Sequence, residues 1–353
     1  MKLGLAFVRS NCTPDNLRFA RQCGVTHVVV HYTNYENDKD KLPERFKGAY
    51  GYTGSEELWS YEELRALRQM INDEGMELGA LENFNPGFWS DVILDGPRKE
   101  QQMANLKQLI RNVGQAGIPI FGYAFNLMNV WGHSHGPWAR GGAHTGGFHE
   151  PVETPIPEGM VWNMVYNPAA PDRPLVPPTH EQLWSRLEYF QREIMPVAEE
   201  AGVIMAAHPD DPPMPFLRGA PRLVTSPALY QKLLHLVPSP NSQAELCVGT
   251  VSEMAEGNVY DAVDQISGQG KAAYIHLRNV RGKVPHYTEV FIDEGDTDML
   301  RILRILHKNN YQGIITPDHT PLMNCAAPWH AGFAFALGYI RAALTLIEQE
   351  SPA

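Results

Sequence analysis

Four residues that can bind a transition metal follow short apolar segments in the C-terminal half of the chain. The stretch IMAA ends at His208, AEL at Cys247 and AAYI at His276, while GIIT runs through a proline to Asp318. A polar group at the end of a buried strand costs free energy unless something pairs with it. Two imidazoles, a thiolate and a carboxylate suit Mn²⁺, Fe²⁺, Co²⁺ or Zn²⁺ better than Mg²⁺ or Ca²⁺. The pattern therefore predicts one transition-metal site, with the choice among these four ions open.

Each of these residues also has an ordinary structural explanation. A histidine at a strand end is commonly just hydrogen bonded, a lone cysteine such as Cys247 is commonly a small buried apolar group, and Asp318 could cap the next turn. Recurrence after four successive apolar segments favours a shared metal over four coincidences.

Two further residues adjoin the predicted ligands. Arg278 lies two residues beyond His276, on the same face of an extended segment, where it could bind a substrate carboxylate or form a structural salt bridge. His319 follows Asp318 and could transfer protons near neutral pH or lie on the surface. We take His319, Asp318 and Arg278 as the candidate catalytic residues.

Substrate contacts are predicted where other apolar segments end. Glu82 ends the third such segment and Asn126 the fourth, while Asp210 follows His208 closely. With Arg278, these three form the predicted substrate-binding set, although Asp210 and its neighbour Asp211 could equally lie in a solvated turn.

These residues sit in a regular alternation of apolar and amphipathic segments. Predicted strands cover 2–8, 26–32, 76–83, 118–126, 203–207, 244–247, 272–276 and 312–316, and predicted helices cover 13–24, 60–75, 98–116, 179–201, 227–236, 255–267, 295–309 and 330–349. Eight strands and eight helices indicate an α/β protein of the (β/α)₈ barrel type, a single domain over 1–353, with its chemistry at the carboxyl ends of the strands. A doubly wound sheet is disfavoured because no glycine-rich dinucleotide fingerprint follows the first strand.

The alternation pauses after the fourth strand, over 127–178. This segment is rich in Gly, Pro, His and Trp, and a loop this long in a compact domain usually carries function. We interpret it as a lid inserted in the barrel, with His133, His135, Arg140 and His144 facing solvent.

Composition restricts the partners. The 353 residues carry a formal net charge of −11, which argues against nucleic acid or an anionic membrane as the main partner and leaves a small molecule. No apolar run approaches the roughly 18–20 residues that cross a bilayer. The N-terminus lacks a signal peptide pattern, and the four cysteines form no CxxC pair. The cytoplasm is the expected compartment.

Several motifs together resemble the mannonate dehydratase family. HPDDPP (208–213), GAPR (219–222), LCVGT (246–250), HLRNV (276–280) and TPDH (316–319) occur in the family's order, and IRNVGQAGI with GYAFN is similar to its fourth barrel unit. The resemblance implies a xylose-isomerase-like barrel that binds Mn²⁺, uses no organic cofactor and dehydrates D-mannonate to 2-keto-3-deoxy-D-gluconate. Carried over by motif, the metal ligands fall on His208, Cys247, His276 and Asp318, the substrate-contacting arginine on Arg278 and the active-site histidine on His319. Barrels of this kind often associate, so we expect a homo-oligomer.

The reaction fits these residues, but the chain departs from the family pattern in places. Proton removal beside a carboxylate creates a dianionic enediolate, which a divalent cation and an arginine can stabilise. The family's Tyr-Asn-Phe in the fourth strand is replaced by Tyr123, Ala124 and Phe125, and its catalytic tyrosine near the C-terminus by Phe333. The long segment after the fourth strand is a further departure.

Other functions therefore remain open. The main alternative is a metal-dependent isomerase, epimerase or other eliminating lyase acting on a related carbohydrate. Phosphodiester hydrolysis is disfavoured by the negative charge and the single ligand set. A non-catalytic binding protein is disfavoured by the acid–base candidates beside the ligands.

Overall fold

The computed structural model describes residues 1–35, 38–53, 57–149 and 154–350. At its centre is a closed barrel of eight parallel strands in chain order, the last pairing with the first. The strands are β1 (Lys2–Val8), β2 (His27–His31), β3 (Glu77–Glu82), β4 (Ile120–Tyr123), β5 (Ile204–Ala207), β6 (Ser242–Cys247), β7 (Ala272–His276) and β8 (Ile314–Thr316). Each overlaps a predicted strand, so the (β/α)₈ prediction is confirmed.

The helices surround the barrel and pack apolar faces against it. In the described ranges they are α1 (Pro14–Gln22), α2 (Tyr61–Asp73), α3 (Pro86–Leu94), α4 (Lys99–Gln115), α5 (His180–Ala201), α6 (Pro227–Leu236), α7 (Val248–Glu253), α8 (Val259–Gly268), α9 (Met299–Lys308) and α10 (Pro328–Glu350). Helix α9 buries Ile302, Leu303 and Leu306 completely, and each such side chain stabilises the fold by about 1.5–3 kcal/mol.

The helix ends follow the sequence signals where those signals are local. Ser60 and Glu63 form a capping box at the start of α2, and Gly75 beyond its end has a φ of +75°, a left-handed conformation that glycine adopts at little cost.

Two helices were not predicted. Residues 86–93 of α3 are all buried, so α3 shows no amphipathic period, and α7 has only six residues.

The segment 127–178 is more ordered than predicted. Within its described residues, His133–Ala139 and Ala143–Phe148 form a hairpin, and Met160–Val161 pairs with Met164–Val165. The first hairpin joins Asn279–Lys283 and His286–Val290, which connect β7 to α9, in a four-stranded antiparallel sheet. We call these four strands the outer sheet. It forms part of a wall above the carboxyl ends of the barrel strands.

Helix α10 corrects the expectation that no segment is long and apolar enough to cross a bilayer. An 18-residue window of this helix has a mean hydropathy of 1.4, because Arg341 is its only Lys, Arg, Asp or Glu before the last turn. In the folded protein α10 is the final barrel helix and buries Leu337 and Ile340 in the core. The apolar side chains of α10 thus pack in the core of the barrel.

Candidate active site

A cavity of about 800 Å³ opens at the carboxyl ends of the barrel strands. Strand-end residues form its floor: His31, Glu82, His208, His276 and Asp318. Residues 131–135, which lead into the outer sheet, form part of its wall. The cavity is thus built by the elements that the barrel fold brings to one end.

The structure brings the four predicted metal ligands together. One ligand atom from each of His208, Cys247 and His276 lies within 4.8 Å of the other two. Asp318 completes the set, with its Oδ1 3.7 Å from Nδ1 of His276 and its Oδ2 4.0 Å from the sulfur of Cys247. Ligand bonds of about 2.0–2.3 Å to a common ion give separations of this size.

The surroundings of Cys247 favour the deprotonated, thiolate form of its side chain. Its sulfur accepts hydrogen bonds from the backbone nitrogen of Thr250 at 3.4 Å and from the Thr250 hydroxyl at 3.1 Å. Burial alone would raise the pKa of the thiol, but Arg278 and the two imidazoles outweigh that effect and lower the pKa to about 5. The thiolate is the form that binds metals.

The two histidines are also suited to metal binding. His208 Nδ1 lies 2.6 Å from the carbonyl oxygen of Pro209, which leaves its Nε2 for the cluster. His276 is buried and both its ring nitrogens lack a hydrogen-bond partner. Burial lowers the pKa of each ring, yet the surrounding acidic groups raise it overall, for His208 to about 10. The cluster thus favours positive charge at its centre, and its donor set fits a divalent transition metal.

Glu82 lies beside His276 and below the ligand set. Its Oε2 is 3.3 Å from Nε2 of His31 and 3.5 Å from Nε2 of His276. Glu245 Oε1 lies 3.7 Å from the same nitrogen of His276. Nδ1 of this ring thus faces Asp318, while Nε2 faces two carboxylates, an arrangement that orients a metal-bound imidazole.

Sequence reasoning missed His31 and Glu245. His31 ends β2, just as His208 follows β5, so the strand-end rule applied to all eight strands would have found it. Glu245 precedes Cys247 by two residues and faces the same interior, as strand alternation requires. Gly122 leaves space for it, because a Cβ there would collide with the Glu245 carboxylate.

Arg278 occupies a different position from the one predicted for a substrate clamp. It is 1% exposed and does not line the cavity. Its guanidinium hydrogen bonds to carboxylates of Asp211, Glu253 and Asp318, and Glu289 lies 3.5 Å away. These protein carboxylates occupy the N–H donors of Arg278 that a substrate carboxylate would need. The contacts of the guanidinium are therefore those of a structural salt bridge.

Two predicted substrate contacts are also used within the protein. Asp210 accepts hydrogen bonds from the backbone nitrogens of Leu223 and Val224, both at 2.7 Å. Asn126 accepts from the backbone of Met128 and Asn129 in the turn after β4. Neither lines the cavity. The predicted strand to residue 126 ends at Tyr123, and the turn that follows needs the Asn126 side chain.

His319 lies in the cavity between two carboxylates. Its Nδ1 is 2.9 Å from Glu289 Oε1 and its Nε2 is 3.5 Å from Asp318 Oδ1. Burial lowers the pKa of this ring, but the charges of Asp318 and Glu289 prevail and raise it to about 10. Phe333 also lines the cavity, packed on Trp329, and gives that wall no proton donor.

The histidines and the arginine of the inserted segment do not share one environment. His135, Arg140 and His144 are exposed as predicted. His133 is the correction: its side chain is only 12% exposed, lines the cavity and contacts Tyr287. Pairing of the hairpin with His286–Val290 turns this residue inward.

A cavity at the carboxyl ends of eight parallel strands, with converging metal-type ligands and acid–base side chains, defines a (β/α)₈-barrel enzyme. Comparison with known proteins agrees. The family model for D-mannonate dehydratase (UxuA) matches residues 1–144 and 178–344. The chain belongs to the mannonate dehydratase family.

Individual relatives support this assignment. The mannonate dehydratase of Geobacillus thermodenitrificans is 30% identical over 320 residues, covering 84% of this chain and 85% of the relative. The crystal structure of the Streptococcus suis mannonate dehydratase superposes with a TM-score of 0.80 at 24% identity, covering 100% and 96% of the two chains. A xylose isomerase domain protein from Planctomyces limnophilus shares the fold, with a TM-score of 0.59 at 13% identity and coverage of 99% and 98%.

Proposed function

We propose that this protein dehydrates D-mannonate to 2-keto-3-deoxy-D-gluconate with the help of a divalent transition metal, most suitably Mn²⁺. The observation that carries the proposal is the convergence of four metal-type ligands, three of which line one cavity, in a member of the mannonate dehydratase family. His208, Cys247, His276 and Asp318 would hold the ion. When bound, it would supply the positive charge that stabilises negative charge developing beside the substrate carboxylate.

Residues of the cavity provide the proton donor, the positive charge and the apolar wall that we assign to the reaction. His319, held between Glu289 and Asp318, is positioned to protonate the hydroxyl group that leaves from C3. Lys39 is the one lysine or arginine among the described residues that line the cavity, and it supplies positive charge for an anionic substrate. Trp329 and Phe333 form an apolar part of the cavity wall.

The proposal extends to the partner, the cellular compartment and the oligomeric state. A sugar acid is the proposed partner, and the four cysteines, all free, suit a reducing cytoplasm. We also propose a homo-oligomer, as for other barrels of this kind.

The test is an endpoint assay for keto acid. Metal-stripped protein is reloaded with Mn²⁺ and incubated with D-mannonate beside a panel of other aldonates, aldoses and ketoses. The proposal expects a 2-keto-3-deoxy product from D-mannonate only with metal, and none from His208→Ala. Interconversion of neutral sugars without keto-acid release would instead assign the site to an isomerase or epimerase.

A further inference from the structure

The hairpin of the outer sheet brings one imidazole into the catalytic cavity. His133 is the first residue of this hairpin and pairs with Phe148 across it. Its ring lines the same cavity as His208, His276 and Asp318, and it is nearly buried. The strand that carries Tyr287 lies alongside, so the position of His133 depends on sheet pairing rather than on a free loop.

A chain of hydrogen bonds fixes the orientation of this imidazole. Nε2 of His133 lies 2.5 Å from the hydroxyl oxygen of Tyr287, and that oxygen lies 3.0 Å from Oδ1 of Asp211. The other carboxylate oxygen of Asp211 accepts a hydrogen bond from Arg278. His133 is thus the cavity end of a three-residue chain whose far end is anchored by a buried ion pair.

The direction of each hydrogen bond follows from the chemistry of the groups. Burial would raise the pKa of Asp211, but its pKa is lowered overall, chiefly by the charge of Arg278, so this carboxylate is ionised and can only accept. The Tyr287 hydroxyl therefore donates its proton to Asp211 and accepts the Nε2 proton of His133. In the neutral ring the other nitrogen, Nδ1, then carries a lone pair. No hydrogen bond to Nδ1 is found among the described residues.

The neutral state of His133 is consistent with its surroundings. Burial is the main cause that lowers the pKa of this ring, and the charges of Arg278 and His319 add to it. Together they outweigh the opposite effect of the Asp211 and Glu289 carboxylates. The ring is therefore free to accept a proton near pH 7.

The other imidazoles of the cavity are engaged or exposed. His208 and His276 belong to the ligand set, His31 faces Glu82 and Asn83, and His319 lies between Glu289 and Asp318. His135 is exposed. His133 is the remaining buried imidazole among the described cavity residues.

We propose that His133 is the general base of the reaction, held by Tyr287 and Asp211 so that its Nδ1 accepts the proton from C2 of the sugar acid. This inference rests on the proposed function. As the C2–H bond breaks, its electron pair forms the C2=C3 double bond and the C3–O bond breaks. The hydroxyl leaves as water with the proton from His319. The resulting enol then gains a proton at C3 and loses one from O2, which gives the 2-keto product.

The test compares His133→Gln with His144→Gln, which changes an exposed histidine on the second strand of the same hairpin that does not line the cavity. In the Mn²⁺-loaded enzyme, His133→Gln should lower kcat for D-mannonate by roughly 10²–10⁴-fold, the usual contribution of a general base. KM and Mn²⁺ affinity should stay within about twofold of wild type, and His144→Gln should behave as wild type. Retention of kcat by His133→Gln would overturn the inference, as would parallel losses of metal affinity and melting temperature.

Tyr287→Phe tests the positioning role. It should lower kcat less than His133→Gln does, and leave KM unchanged, because the base remains but loses its fixed tautomer. With substrate deuterated at C2, the primary isotope effect on kcat should increase in both variants, since proton removal then limits the rate. An unchanged isotope effect would contradict the assignment.

A spectroscopic readout separates this inference from the substrate assignment. In ¹⁵N-histidine-labelled protein loaded with diamagnetic Zn²⁺, the signals absent from His133→Gln identify the ring. They should show a neutral imidazole with the proton on Nε2 at pH 7. A protonated ring or an Nδ1 proton would overturn the inference whatever the substrate, whereas wild-type silence on D-mannonate would count against the proposed function alone.

Discussion

The two halves of the barrel end their strands differently. Strands β5 to β8 lead to His208, Cys247, His276 and Asp318, which converge as one ligand set. Strands β2 and β3 end in His31 and Glu82, which face that set from beside it. His133, which we propose as the general base, also belongs to the first half and lies in the hairpin after β4. The second half therefore supplies all four metal-type donors together with His319, and the first half adds a carboxylate and imidazoles around them.

The largest effect should come from removing a ligand of the second half. Cys247→Ala should lower kcat/KM for D-mannonate by more than the roughly 100-fold typical for loss of an outer partner of a ligand. It should also abolish tight Mn²⁺ binding. Cys325→Ala, at an exposed cysteine, is the matched control. If Cys247→Ala binds Mn²⁺ as wild type does, the thiolate is not a ligand and the contrast between the halves fails.

Arg278→Met should act mainly on stability. Removing one partner of a buried ion pair leaves uncompensated charge and typically costs about 3–5 kcal/mol, and Arg278 adjoins several buried carboxylates. Urea denaturation of the Mn²⁺-loaded proteins measures this difference. A variant of wild-type stability with a greatly raised KM would instead make Arg278 the substrate clamp that the sequence suggested.

Glu82→Gln tests whether the first half of the barrel affects metal binding indirectly, through His276. The substitution keeps the shape but weakens the carboxylate partner of His276, so Mn²⁺ affinity should fall by about 10–100-fold. KM for D-mannonate at saturating metal should change little. Glu77→Gln, at the exposed start of the same strand, serves as control. A raised KM with unchanged metal affinity would assign Glu82 to the substrate, as first predicted.

The smallest effect is expected at the outer edge of the hairpin. Arg140 pairs with both carboxylate oxygens of Asp293, but the pair is largely exposed. Arg140→Ala should cost less than about 1 kcal/mol of unfolding free energy and leave kcat unchanged. A large loss of kcat would show that this outer ion pair sets the position of His133.

The convergence of the four metal-type side chains could be predicted because its signal is local. Each of these side chains follows a short apolar run, and the closed barrel brings the ends of neighbouring strands together. Glu245 could have been found by the same alternation, since it is two residues from Cys247.

The remaining roles depend on partners far apart in sequence. Arg278 meets Asp211, 67 positions earlier, and His133 meets Tyr287, 154 positions later. Neither pairing leaves a periodic trace, so the residue types alone suggested a substrate clamp and a solvent-facing histidine. Asp210 and Asn126 were misread for a related reason, because their partners are backbone nitrogens, which every sequence carries.

We propose that one ion, held by the four converging ligands, enables dehydration. Calorimetric titration of the metal-free protein with Mn²⁺, with keto-acid release from D-mannonate measured at each addition, tests it most directly. Activity should rise in proportion to occupancy and saturate at one ion per chain, and both signals should be lost in His276→Ala. Full activity of the metal-free protein in the presence of a chelator would contradict it.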